Sequence, residues 1–207
     1  MRTIRWYFDF VSPFSYIALQ RLPEIAAEIE YRPVLFAGLL AHWGQKGPAE
    51  LAPKRQWTYR YCQWQADALG IPLRFPAQHP FNPLQHLRLA IAAGATAQAV
   101  RRIFELLWTT GADAADPVAF EALCSELKVT PGALAAPAVK DALRGTTEQA
   151  ARRGVFGVPT FEVDGELFWG ADGIDFLKAY LEDPSILHGA EMERLKTLPV
   201  GAARKRA

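Results

Sequence analysis

Three short segments carry side chains whose types and spacing could do chemistry. Ser12-Pro13-Phe14-Ser15 follows a mostly apolar and aromatic run beginning at Ile4 and precedes an amphipathic stretch. It reads as a strand feeding a helix, with Ser12 at the N-cap and Pro13 in the first turn. Such a junction aims a hydroxyl and uncommitted backbone N–H groups at one point, which suits an anion. Taken alone, Ser12 can equally be a cap and nothing more. Val158-Pro159 stands in front of a hairpin pattern, where a proline cannot donate to a ladder and marks either a trans edge or a cis turn. Trp169-Gly170-Ala171-Asp172 puts a carboxylate near a helix start, as a cap or as a partner for a ligand's ammonium group.

No cysteine stands at the Ser12 turn. Cys62 and Cys124 lie far apart in helical stretches, outside any Cys-x-x-Cys pair or metal-like cluster. They read as buried, reduced thiols in a reducing, cytoplasmic setting, and no metal site is expected. The sequence also lacks Gly-x-Ser-x-Gly, and His42, His79, His86 and His188 are scattered, none tied to Ser12 as a base. A Ser-His-Asp hydrolase is therefore disfavoured, because serine needs an adjacent base to attack. The Ser12 hydroxyl can still donate to a bound thiolate, and a helix N-terminus lowers a thiol's pKa. A charged nucleophile held there has to come from a ligand.

The chain has 207 residues, half of them hydrophobic, with 23 basic and 22 acidic side chains. That length allows one compact domain, or a domain carrying an insertion, and the composition argues against disorder. The balanced charge gives no electrostatic case for nucleic acid. Arg204-Lys205-Arg206 reads as a solvated, frayed tail. Arg5 and Asp9 interrupt the N-terminal run, so it reads as a strand and not a signal peptide, and no apolar stretch is long enough for a membrane span.

The elements that must position these residues follow from periodicity. Ser15 to Ile29 has helical spacing, Glu30 to Phe36 reads as a second strand, and Gly38 to Pro53 reads as a loop with short helical pieces. Helices are predicted over 53–69 (stopped by Gly70), 83–93, 97–108, 117–127 and 137–153, although Gly145 and Thr146-Thr147 weaken the last. Asp164-Gly165 between two β-like runs is a hairpin signal, and 172–181 supplies a final helix. The order is βαβ, a helical block, then ββα. One sheet is thus assembled from both ends of the chain, with residues 1–37 and 155–183 as an α/β domain, 38–154 as a helical insertion and 184–207 as a tail.

Strand, Ser-Pro-Phe-Ser, helix, helical insertion, Gly-Val-Pro-Thr-Phe and Trp-Gly-Ala-Asp together resemble the 2-hydroxychromene-2-carboxylate isomerase family. That family is kappa-class glutathione transferase-like, on the disulfide-oxidoreductase branch of the thioredoxin fold, and the resemblance covers about residues 3 to 182. It implies a thioredoxin-like fold with a large all-helical insertion, glutathione as cofactor, a small aromatic carboxylate as substrate and a homodimer. It also implies that Ser12 contacts the glutathione sulfur, the catalytic role, and that Ser15 stands where a redox pair has its second cysteine. Val158 is implied to pair with the cysteinyl backbone, next to a cis Pro159. Trp169, Gly170, Ala171 and Asp172 would bind glutathione, Asp172 holding the γ-glutamyl ammonium; Ala171 and Gly173 depart from the family's polar pattern there. Lys54 (cofactor-binding) and Arg55 (substrate-binding) match a step at the start of the first inserted helix where a glutathione or substrate carboxylate contact is implied. Trp43 and His79 to Pro83 fall where the substrate wall is expected, with Asn82 as its polar candidate. The implied activity interconverts 2-hydroxychromene-2-carboxylate and trans-o-hydroxybenzylidenepyruvate. A kappa-class transferase or peroxidase, or a non-catalytic thioredoxin-fold binding protein, is the alternative.

Overall fold

The structure, a computed structural model, describes residues 2–202; the basic cluster Arg204–Arg206 lies outside them. Strand β1 (Thr3–Phe8) is central in a sheet of order β2-β1-β3-β4. It pairs in parallel with β2 (Glu28–Pro33), from Thr3 opposite Glu28 to Phe8 opposite Pro33. On its other edge it pairs antiparallel with β3 (Thr160–Val163), which continues into β4 (Glu166–Trp169). Asp164 and Gly165 both have positive φ, 53° and 88°, the backbone that a two-residue hairpin needs. The sheet is built from both ends of the chain.

β1 is buried on both faces, as a central strand must be. Ile4, Trp6, Phe8 and Phe10 share one face and are fully buried, with Phe104, Tyr16 and Trp108 packed among them. The Trp6 and Phe8 rings stack at 4.4 Å, and Phe10 meets Phe104 at 4.6 Å. Each such side chain contributes roughly 2–3 kcal/mol by leaving water. Tyr7 points the other way, toward Val34, Leu39 and Ala150, and its hydroxyl donates to the buried Glu162 carboxylate at 2.6 Å. Arg5 and Arg153 also reach Glu162, at 3.1 and 2.7 Å, so the buried charge is paired.

Helix α1 (Pro13–Arg21) is shorter than its apolar spacing predicts, because Pro23 has no N–H to donate and leaves only a 3-10 turn over Leu22–Glu24. Ile25 and Ile29 still reach the core, from an extended backbone. β2 accordingly starts and ends earlier than predicted, and the apolar residues after it lead into helix α2 (Phe36–Trp43). The helical block follows as α3 (Ala52–Leu69), α4 (Leu84–Ala92), α5 (Ala97–Thr109), α6 (Pro117–Glu126), the single turn α7 (Pro131–Leu134) and α8 (Pro137–Arg152). Gly70, at φ 66°, caps α3. α8 runs unbroken through Gly145 to Thr147. The Thr146 and Thr147 hydroxyls donate to the carbonyls of Ala142 and Leu143, both at 2.8 Å, and Thr147 Oγ1 also accepts the Leu35 N–H.

Helix α9 (Gly173–Glu182) follows the hairpin, and the segment beyond it forms a 3-10 turn and the short α10 (Ala190–Lys196). Cys62 and Cys124 are free and buried. Among the described residues no helix is long and apolar enough to cross a membrane.

Candidate active site

Ser12 has extended backbone angles and caps α1: its Oγ accepts the Ser15 N–H at 3.1 Å. The hydroxyl hydrogen points toward the Val158 carbonyl across a long 3.4 Å contact. Val158 precedes the first ladder pair of β3, so its peptide groups stand beside Ser12 without being committed to the sheet. The Val158–Pro159 bond is cis. The two segments singled out at opposite ends of the sequence therefore meet at one point. Ser15 is fully buried, and its Oγ has no partner among the described residues.

A cavity of about 490 Å³ opens at this point, lined by Ser12, Lys54 and Val158 with aromatic walls from Phe14, Phe36, Phe81, Phe156 and Trp169. That size is usual for a small-molecule site. Of the residues predicted from sequence, Ser12, Lys54, Val158 and Trp169 line it. Arg55, Asn82 and Trp43 do not, and each has a physical reason. Arg55 follows Lys54 on α3 and so points about a quarter-turn away, into solvent. The Asn82 Oδ1 accepts the Leu84 N–H at 3.1 Å and caps the start of α4, leaving its neighbours Phe81 and Pro83 as the wall. Trp43 donates its indole N–H to the Val155 carbonyl at 2.9 Å, on the flank of the sheet.

Gly170, Ala171 and Asp172 also stand back from the cavity wall. Ala171 is in the core, and its carbonyl accepts from Arg21 Nη1 at 3.0 Å. Arg21 also binds Asp175 at 2.7 Å and so ties the last turn of α1 to the segment after β4. Asp172 is exposed at the N-cap of α9 without making a cap bond, its carboxylate folded over Gly170, where an added Cβ would lie 2.3 Å from Oδ1. Gly170 has φ 96°, so glycine is required there on both counts.

Two features of the cavity make contacts that the local sequence does not signal, although the resemblance puts His79 at the start of the substrate wall. Asp9, fully buried, receives the Val11 N–H at 3.0 Å on one carboxylate oxygen and the Phe36 N–H at 2.8 Å on the other. It fastens the Ser12 turn to α2. Burial pushes its carboxyl up to about 7, against the pull of the Phe36, Val11 and Phe10 N–H groups. The second is His79, whose Nε2 lies 2.7 Å from the Val11 carbonyl while Nδ1 lies 2.7 Å from the Tyr59 hydroxyl. Asp9, Tyr59 and His79 all line the cavity.

Comparison with known proteins agrees with this fold. A DSBA-like thioredoxin domain matches residues 3–182. Over 193 residues the chain is 34% identical to the 2-hydroxychromene-2-carboxylate isomerase of Sphingobium xenophagum, covering 88% of this chain and 99% of that protein. Over 201 residues it is 25% identical to human glutathione S-transferase kappa 1, covering 85% and 89% of the two chains. Among solved structures, a 2-hydroxychromene-2-carboxylate isomerase superposes with a TM-score of 0.79 at 27% identity, over 92% of this chain and 98% of that one. The fold is thus thioredoxin-like with a large helical insertion, and the chain belongs to the family of DSBA-like thioredoxin domains that contains the 2-hydroxychromene-2-carboxylate isomerases.

Proposed function

We propose that this chain is a glutathione-dependent isomerase that interconverts 2-hydroxychromene-2-carboxylate and trans-o-hydroxybenzylidenepyruvate. The observation that carries the reading is Ser12 at the start of α1, facing Val158 across an aromatic-walled cavity that also holds Lys54, in a chain of this family. These residues fit glutathione. The Ser12 hydroxyl makes only a long contact to Val158 and is free to turn to a sulfur, and Val158 offers its peptide groups to a cysteinyl backbone. Cys62 and Cys124 do not line the cavity, so a nucleophilic sulfur has to be brought in.

When bound, glutathione supplies a thiolate that adds to the conjugated double bond, lets it rotate as a single bond, and leaves as the alkene reforms. Ser12 donates a hydrogen bond to the sulfur and is not the attacking atom. The N-terminus of α1 adds its partial positive charge. Lys54, on the cavity wall, is our choice to hold the substrate carboxylate, and the aromatic walls hold the ring and exclude water. Asp172, exposed at the start of α9, is our choice for the γ-glutamyl ammonium.

Our choice for a homodimer contact is α3, where Trp57 and Trp64 are 61% and 62% exposed and stack on Tyr61 at 4.7 and 5.8 Å. Grouped exposed aromatic rings suit an interaction surface. A cytoplasmic setting fits the two free, buried thiols.

The reading is tested by following chromene conversion with glutathione and with S-methylglutathione, which has no ionisable thiol. Conversion is expected with glutathione only, and Ser12→Ala should lower turnover by roughly a hundredfold while calorimetric glutathione binding persists. Equal turnover in the wild type and Ser12→Ala under saturating glutathione would remove Ser12 from the mechanism.

A further inference from the structure

His79 makes a set of contacts whose proton count is informative. The Val11 carbonyl oxygen can only accept, so the ring nitrogen 2.7 Å away, Nε2, carries a hydrogen. Nδ1 is then the nitrogen left to gain or lose a proton. It faces the Tyr59 hydroxyl at 2.7 Å, and that same hydroxyl lies 2.8 Å from the carbonyl of His79 itself. With a neutral ring, as in the free protein, Tyr59 has one hydrogen to share between two acceptors, Nδ1 and the His79 carbonyl, and one of them goes without. With a proton on Nδ1 every contact is satisfied: Nε2–H to Val11, Nδ1–H to the Tyr59 oxygen, and the Tyr59 hydrogen to the His79 carbonyl. The residue that receives this clamp, Val11, immediately precedes Ser12.

We propose that His79 is the positioning residue that takes up, on Nδ1, the proton released when a thiol ionises at Ser12, and that the resulting imidazolium is the counter-charge of the thiolate. This rests on the reading of the cavity as a glutathione site. The balance is simple. The S–H bond breaks and sulfur keeps the pair, the Nδ1–H bond forms, and Tyr59, now accepting from Nδ1–H, turns its own hydrogen wholly to the His79 carbonyl. Nothing is oxidised or reduced.

The surroundings agree. From α3 the ring faces Tyr59 and feels the Arg55 charge. From the β1–α1 turn it faces the Val11 carbonyl, with Asp9 in the same cavity. From its own connection and from α5 it meets the uncharged rings of Phe75, Phe81 and Trp108. Burial lowers its pKa, the Val11 bond opposes this, and Arg55 lowers it further. The ring is therefore neutral and ready to accept at physiological pH in the free protein. An anion at Ser12 reverses that preference in the same low-dielectric space. Protonation also strengthens the bond to Val11, which steadies the turn when the thiolate is present.

The experiment follows the His79 ring nitrogens by ¹⁵N NMR across pH in the intact protein, alone, with glutathione and with S-methylglutathione, with calorimetry to establish binding. The free protein is expected to show hydrogen on Nε2, and glutathione to raise the Nδ1 midpoint by about one pH unit, a tenfold effect, while S-methylglutathione leaves it in place. His79→Gln, whose amide can keep the bond to Val11 without titrating, should bind glutathione within about threefold of the wild type. It should also show about a tenfold smaller thiolate absorbance at neutral pH. Binding of glutathione with no movement of the midpoint, an equal movement with the S-methyl compound, or hydrogen on Nδ1 in the free protein would each overturn the proposal alone. Absence of calorimetric binding would overturn the glutathione reading and this proposal with it.

Discussion

At the scale of single residues, the proposed site centres on a hydroxyl, Ser12, whose backbone neighbour Val11 is held from two sides. Asp9 holds the Val11 N–H and His79 the Val11 carbonyl. Local rules single out the Ser12 turn and the Val158-Pro159 step but leave an N-cap and an edge proline as sufficient readings; their pairing at one point comes from the family resemblance and from the fold. Asp9 and Tyr59 were not legible in the sequence, and of His79 only its place at the start of the substrate wall was, because their contacts come from burial and from a bond spanning 68 positions. Asp9 has a measurable signature. Its carboxyl stands at about 7 when folded, against an ordinary value of 3.8. Between those values the native state holds a proton that the unfolded chain releases, so this group's contribution to stability is lost as pH rises through that window. Compared by urea denaturation at pH 5 and pH 8, the wild type should lose stability relative to Asp9→Asn at the higher pH. The slope should be at most about 1.4 kcal/mol per pH unit. A difference between the two proteins that is independent of pH would contradict the assignment.

At the scale of elements, the hairpin and the cis-proline segment present Trp169 to the cavity. The Asp164-Gly165 turn and the Gly70 cap were readable, since positive φ leaves few residue choices. The end of α1 was not, because apolar spacing continued through Ile25 and Ile29, which serve the core from strand and turn instead. Gly157 shows how tightly the segment is built: an added Cβ would lie 2.7 Å from Trp169 Nε1. Gly157→Ala should therefore displace the indole and weaken glutathione binding by about tenfold, equivalent to ~1.4 kcal/mol, while the thermal midpoint falls by only a few degrees. Unchanged affinity in calorimetry would show that Trp169 does not shape the site.

At the scale of the whole molecule, the two chain ends build the sheet, and the helices between them close over the Ser12 turn from the side where the cavity opens. That plan was legible from the order of periodicities. The substrate wall was less so: Lys54 reaches the cavity, but Asn82 and Trp43 turned out to be bonded to Leu84 and Val155. The exposed ridge of α3, our proposed homodimer contact, belongs to this scale too. The proposal predicts that Trp64→Glu shifts the protein toward monomer in analytical ultracentrifugation while leaving its circular dichroism unchanged, and an unaltered mass would contradict it. The central claim, that Ser12 and Val158 together hold the sulfur-bearing part of glutathione, is tested most directly by a crystal structure of the glutathione complex. The expected result is the sulfur within hydrogen-bond distance of Ser12 Oγ and the cysteinyl backbone paired with Val158. Glutathione bound with its sulfur away from the start of α1 would contradict it.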